Sequence, residues 1–144
     1  MKRLDVFLLV AIFCLFFSGF VQRTGKPNNA QIEISDSAKF SQEEIEAAIK
    51  CVKAQFVDFK GCNMTRLWYD EDESDFQING FSQFKDVSED GSGNENVIIL
   101  LSDFETDSSA GESGFNPDST YYSWMWIMTR DSKTDPWTMY DWGY

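Results

Sequence analysis

Histidine is absent from this sequence of 144 residues, and basic residues are scarce, with 12 Lys and Arg against 24 Asp and Glu. Without histidine the chain lacks the commonest general base and the commonest transition-metal ligand. The net charge of -12 repels phosphate backbones, and no basic stripe interrupts it. The composition therefore argues against nucleic acid as a partner and favours a soluble acidic domain outside the cell.

Residues 1–22 carry the pattern of an export signal. Lys2 and Arg3 precede sixteen residues without a charge, from Val6 to Val21. This run is shorter than the roughly 20 residues of a comfortable membrane span, and no A-x-A-like cleavage site follows it. We predict a signal peptide or an N-terminal membrane anchor over 1–22. The protein is then secreted or anchored to the outer face of the cell membrane.

Residues 23–35 differ in composition from the remainder of the chain. Polar residues with Gly25 and Pro27 are typical of a flexible linker, and Ile32 and Ile34 alternate with polar residues as in a short edge strand. We predict a linker and a possible edge strand here, followed by one domain over 36–144.

The clearest helix signal begins at Phe40. Ser41 and Glu44 have the spacing of a capping box, and Phe40 and Ile45 that of a hydrophobic staple. Apolar residues then recur at helical spacing as far as Phe59, before a glycine stop signal. The pattern predicts an amphipathic helix over 42–60.

Four strand-like segments follow the helix, at 63–70, 96–104, 120–130 and 137–144. Residues 70–95 between the first two predict a long, partly ordered insertion with room for one short helix. Consecutive strands favour antiparallel pairing. The predicted fold class is α+β, with one amphipathic N-terminal helix packed on a twisted four- to five-stranded antiparallel sheet.

Three stretches of the chain carry a family resemblance: CVKAQFVDFKGCNMTRLWYDE, NVIILLSDF and WTMYDWGY. They resemble a family of small exported proteins of unknown function from Gram-positive bacteria, over about residues 36–144. The order of elements is similar to the cystatin-like architecture, a sheet wrapped around a single helix. The resemblance implies a fold and export, and it brings no activity with it.

Cys51 and Cys62 are the two cysteines of the predicted domain. In an oxidising compartment such a pair usually forms a disulfide. On a helix running to residue 60, Cys51 would lie about 13 Å from the helix end, whereas a disulfide needs Cα atoms within about 7 Å. We predict the Cys51–Cys62 disulfide with a helix that ends early or a segment that folds back. A nucleophilic cysteine is disfavoured because no histidine can activate it.

The acidic cluster from Asp70 to Asp75 is typical of a solvated loop. Calcium prefers several oxygen ligands, but the twelfth position of an EF-hand loop counted from Asp70 is Phe81. No spacing singles out a carboxylate pair of the kind that hydrolyses glycosides. We predict no metal, no cofactor and no enzymatic activity, with a carboxylate-based hydrolase as the less favoured alternative.

A cystatin-type inhibitor of cysteine proteases is a second alternative. Pro136–Trp137 falls in the last hairpin, where such inhibitors typically carry Pro-Trp. The Gln-x-Val-x-Gly motif of their first hairpin does not occur in this sequence. Half of the signature is present, so inhibition ranks below a binding role.

The segment 121–144 holds four of the five tryptophans and four of the five tyrosines. Side chains along a strand alternate between the two faces of a sheet. The face predicted to contact the helix comprises Tyr122, Trp124, Trp126 and Met128, continued by Trp137 and Met139. The opposite face comprises Met125, Ile127, Tyr140, Trp142 and Tyr144.

Those five residues predict an exposed apolar patch, unless the 70–95 insertion covers them. The function predicted from the sequence is a non-catalytic binding module, exported or anchored at the cell surface. Its partner would be an unknown protein, a glycan or a second copy of the chain. The membrane would be contacted only through the N-terminal segment.

Overall fold

A computed structural model describes residues 24–84 and 94–144. The predicted export segment and part of the predicted insertion, 85–93, lie outside these residues. The described chain has an α+β fold, as predicted. Its elements in chain order are β1 Gln31–Ile34, α1 Gln42–Phe56, β2 Cys62–Tyr69, α2 Glu71–Gly80, β3 Val97–Thr106, β4 Thr120–Thr129 and β5 Thr138–Gly143.

The five strands form one mixed sheet in the order β1-β2-β3-β4-β5. Strands β2 to β5 pair antiparallel, whereas β1 pairs parallel to β2, with Gln31 opposite Arg66. The predicted all-antiparallel sheet is therefore wrong at β1, and α1 is not the first element. The reason is that α1 is a crossover connection between β1 and β2. It returns the chain to the end of the sheet at which β1 begins, so β1 and β2 run in the same direction.

Helix α1 begins as its sequence predicts. The Ser41 hydroxyl accepts from the Glu44 amide at 3.2 Å, and the Glu44 carboxylate accepts from the Ser41 amide at 2.7 Å. The helix ends at Phe56 rather than at residue 60, because a turn follows in which Phe59 and Cys62 donate to carbonyls three residues back. Its buried stripe packs on the sheet and comprises Ile45, Ala48, Ile49, Val52 and Phe56.

Helix α2 covers the opposite face of the sheet. The Ile99 amide donates to the hydroxyl of Ser74 at 3.1 Å, in a buried contact that α2 supplies to β3. Ile78 and Phe84 pack with sheet residues in a second apolar cluster that comprises Trp68, Val97, Ile99, Leu101, Met125 and Ile127. We call the side of the sheet under α1 the inner face and the side under α2 the outer face. The sheet thus has a helix on each face.

The predicted linker contacts the domain from Gly25 onwards. The Gly25 amide donates to the Val57 carbonyl at 3.0 Å, and Lys26 forms a parallel bridge with Asn63. A Cβ atom on Gly25 would lie 2.0 Å from the Phe56 carbonyl oxygen, so only glycine fits against this turn. The chain is fixed to the sheet before β1 begins.

The predicted Cys51–Cys62 disulfide is not present, and both residues are free thiols. Cys51 lies on the flank of α1 that faces β5, with its Sγ 4.0 Å from the Trp137 carbonyl oxygen. Cys62 begins β2, and β3 and β4 separate β2 from β5 in the sheet. Burial raises the pKa of the Cys62 thiol to about 12, and the charge of Asp107 adds to this.

Candidate functional site

A β-bulge at Tyr140 divides the predicted binding patch between the two faces of the sheet. Met139 lies opposite Met128 and Asp141 opposite Ile127, so Tyr140 is the extra residue. Alternation is reset beyond a bulge. The Tyr140 ring therefore lies on the outer face, 5.1 Å from the Phe84 ring. Beyond the bulge, Trp142 pairs with Trp126 on the inner face.

Met125 and Ile127 belong to the covered core of the outer face. They are 8% and 5% exposed, beneath the cluster that α2 and Phe84 complete. The sequence prediction that they are exposed is wrong, and the considered alternative, that the insertion folds over this face, is correct for its described part. Tyr140 is 53% exposed and lies apart from Trp142 and Tyr144.

A second bulge occurs in β4 at Tyr122 and Ser123. Ser102 lies opposite Trp124 and Phe104 opposite Tyr121, so two residues of β4 face Asp103 alone. Ser123 has a positive φ of 53°, and its amide donates to the Asp103 carboxylate at 2.9 Å. Tyr121 and Trp124 consequently share the inner face. Tyr122, which strict alternation assigned to the helix side, is 65% exposed.

These two bulges bring the aromatic residues of β4 and β5 together at one end of the inner face. The rings meet there within 5.0–6.5 Å of one another. We call this cluster the aromatic end, and its members are Phe59, Phe104, Phe115, Tyr121, Trp124, Trp126, Trp142 and Tyr144.

The aromatic end grades from buried core to open surface. Phe104 and Trp126 are fully buried, and Phe59 is 5% exposed. Trp142 and Tyr144 are 40% and 73% exposed, although the Trp142 ring still lies 6.0 Å from that of Phe59. Helix α1 and its closing turn thus cover the inner half of the cluster and leave its outer half uncovered.

Two polar groups lie within this apolar surface. The Trp124 indole N–H is buried and finds no acceptor among the described residues, while the Tyr144 ring lies 5.0 Å from the Trp124 ring. Partial burial raises the pKa of the Tyr144 phenol; a hydrogen bond with the Tyr122 backbone opposes this, and the charges of Tyr121 and Asp103 reinforce it. The Tyr144 phenol, with its raised pKa, and the Trp124 indole N–H are suited to contact with a partner molecule rather than to proton transfer.

A polar groove on the outer face is the second candidate. The Arg66 guanidinium stacks 4.0 Å from the Trp68 ring and forms an ion pair with Glu33 at 2.7 Å. The hydrogen bond from Arg66 lowers the pKa of Glu33. The Trp68 indole donates to Glu73 at 2.7 Å, and Asp70 caps α2. The three carboxylates of the groove, those of Glu33, Asp70 and Glu73, are thus all engaged in structural contacts.

Trp137, the tryptophan of the inhibitor alternative, is held against α1. Its indole donates to the Glu44 carbonyl at 3.0 Å, and its ring lies 4.2 Å from the Arg130 guanidinium and 5.6 Å from the Phe40 ring. Pro136 beside it is exposed. The side chain that a protease cleft would have to accept is therefore packed into the fold.

Within residues 24–84 and 94–144, no three potential metal-ligating side chains cluster, and no helix is long and apolar enough to cross a membrane. The comparisons with known proteins are negative at every level: no family model, no curated protein and no solved structure matches this chain. The resemblance to small exported proteins of Gram-positive bacteria stays a prediction.

Proposed function

We propose that this protein is an exported, non-catalytic binding module whose contact surface is the aromatic end. The observation that carries the proposal is a contiguous aromatic cluster whose outer members are exposed. Tyr144 is 73% exposed and Trp142 is 40% exposed. The Trp142 ring lies against the fully buried Trp126, and the Tyr144 ring against Trp124, which is partly buried and packs on the core. Isolated exposed apolar residues are ordinary, whereas a continuous apolar surface commonly marks an interaction site.

The chemistry of these side chains supports a contact role. Tryptophan and tyrosine lose large areas of apolar surface on binding, roughly 150–250 Å² each, and they often dominate the energy of interfaces. The cluster is also rigid, because its buried rings Phe104 and Trp126 lie in the central strands β3 and β4. A rigid aromatic surface binds at a lower entropic cost than a flexible one.

The groups that could perform catalysis are poorly suited to it. The sequence contains no histidine. The Cys62 thiol, with its pKa raised to about 12, is neither exposed nor ionised at neutral pH. The carboxylates nearest a groove are committed to Arg66, Trp68 and the N-terminus of α2. A binding role requires only the exposed rings of the aromatic end and no reactive group.

Site-specific photo-crosslinking tests the proposal. Tyr144 is replaced by a photoreactive benzoyl-phenylalanine, and the full chain is expressed in the cells that naturally produce it. Phe76 on α2, which is 76% exposed, receives the same replacement as a matched control. We expect a light-dependent adduct from position 144 and none from position 76. An absence of adducts from position 144 would contradict a contact function for the aromatic end.

A further inference from the structure

The chain enters the domain at the aromatic end. Lys26 pairs with Asn63 at the start of β2, and Cys62 there lies opposite Thr106 at the end of β3. The same edge continues to Thr120, where β4 begins. Strand β5 ends at Gly143, opposite Met125 in the middle of β4, and the Tyr144 ring beyond it lies 6.5 Å from the ring of Tyr121, next to Thr120. Gly25 packs against the turn that carries Phe59, one of the rings of the cluster. The point of entry and the exposed rings therefore share one end of the sheet.

A short segment joins this entry point to the apolar run. Val21 is the last residue of the uncharged stretch, and Gly25 is already hydrogen-bonded to the Val57 carbonyl. Four peptide steps lie between them, which span at most about 14 Å when fully extended. If Val21 lies at the boundary of a bilayer, the aromatic end lies within the depth of the headgroup region or directly above it.

We propose that the aromatic end rests on the lipid surface of the membrane in which residues 6–21 are embedded, with Trp142 and Tyr144 at the headgroup level. Tryptophan and tyrosine are enriched at membrane–water interfaces because they combine an apolar ring with a polar group. This inference rests on the proposed contact function and names its partner. The membrane then contacts the protein through the folded domain as well as through the N-terminal segment.

Electrostatic attraction does not explain such a contact. The exposed acidic residues at this end include Asp58, Glu112 and Asp118, against the exposed Lys26 and Lys60. Acidic groups are not drawn to the anionic lipids that attract polybasic segments. Association of the aromatic end with the membrane must therefore come from the N-terminal segment, which holds the domain close to the bilayer, and from the aromatic rings. The contact does not require anionic lipid.

Quenching of tryptophan fluorescence by brominated lipid tests the inference. The full chain is reconstituted into phosphatidylcholine vesicles whose acyl chains are brominated near the headgroup, with unbrominated vesicles as the reference. We expect quenching of the wild type and a roughly twofold smaller quenched fraction in Trp142→Phe, because interfacial tryptophan lies within reach of the bromine atoms. Trp137→Phe is the matched control, since Trp137 precedes β5 at the opposite end of the sheet.

Three results would overturn the inference: no quenching of the wild type, equal losses in both variants, or removal of residues 1–21 from the protein in its native cells. A test on intact mass decides the last of these. Photo-crosslinking at position 144 tests the contact function independently of the membrane inference. A protein adduct there, without lipid quenching, would retain the binding function and reject the membrane as its partner.

Discussion

Arg130 is a buried cation, 8% exposed, at the end of β4 opposite to the aromatic end. Its guanidinium forms an ion pair with the Glu44 carboxylate at 2.8 Å, donates twice to the Glu95 carbonyl, and stacks on Trp137. Burial alone would raise the pKa of Glu44, but the hydrogen bonds from Ser41 and Arg130 outweigh it and lower that pKa. The Glu44–Arg130 ion pair links α1 to the end of β4, and the stacking of Arg130 on Trp137 extends this link to the start of β5. Together these contacts close this end of the fold.

Glu44→Gln tests that pair. At neutral pH we expect the free energy of unfolding to fall by about 2 kcal/mol, because Arg130 stays buried without its partner charge. The lowered pKa of Glu44 means that its contribution is complete above its ordinary value of 4.5 and is lost as the pH falls through the folded-state pKa. Urea unfolding of both proteins across this pH range should show the difference shrinking in acid.

Glu95→Gln is the control for that measurement. The Glu95 carboxylate pairs with Lys133 at 3.6 Å across an exposed contact, so its loss should cost no more than about 0.5 kcal/mol. A difference between wild type and Glu44→Gln that persists unchanged to low pH would show that the carboxylate charge is not what stabilises this end.

Among the elements, α1 was predicted with its starting residue, whereas α2 was predicted only as one short helix somewhere in the 70–95 insertion, and its position on the sheet was not. Helix α1 has a capping box and a continuous apolar stripe, which are local signals in the sequence. Helix α2 is polar along most of its length and buries only Ser74 and Ile78. Its place on the sheet comes from tertiary contacts, the hydrogen bond from Ile99 among them, and such contacts leave no periodic pattern.

The bulges explain why the predicted patch was wrong. Alternation assigns faces correctly only while every residue has one partner, and an extra residue at Tyr140 moves Trp142 and Tyr144 to the other face. Tyr140 and its direct neighbours Met139 and Asp141 are neither glycine nor proline, the residues that often mark a bulge. The aromatic composition therefore predicted a contact surface, whereas the location of that surface depended on the pairing register of β4 and β5.

Ile78→Ala tests whether α2 is part of the core. Ile78 is 5% exposed among Met125, Ile127 and the other apolar residues of the outer face. Removing its buried methyl groups should lower the free energy of unfolding by about 3 kcal/mol. Phe76→Ala on the same helix removes a larger but exposed side chain and should change stability by about 0.5 kcal/mol or less. Equal, small effects in chemical denaturation would show that α2 does not cover the sheet.

At the scale of the whole molecule the two ends of the sheet differ in how they are closed. The end with Arg130 and Trp137 is sealed by hydrogen bonds and an ion pair to α1. At the aromatic end the packed rings are supplemented by loop hydrogen bonds, such as that from the Asn116 amide to the Tyr121 hydroxyl at 3.0 Å, and the outermost rings remain open to solvent. The α+β class and the acidic, histidine-free character followed from the sequence. The asymmetry between the ends did not, because it arises from the two bulges in β4 and β5 that bring the aromatic rings together.

Oxidative footprinting in the cells that naturally produce the protein tests the contact function most directly. Hydroxyl radicals would modify Tyr140 and Tyr144, and each rate is normalised to that of the same residue in the denatured chain. Tyr144 is more exposed than Tyr140 in the isolated fold, 73% against 53%. If the aromatic end is occupied, Tyr144 is oxidised several-fold more slowly than Tyr140. If oxidation follows the exposures of the isolated fold, with Tyr144 the faster of the two, the aromatic end is free of a partner and the contact function is contradicted.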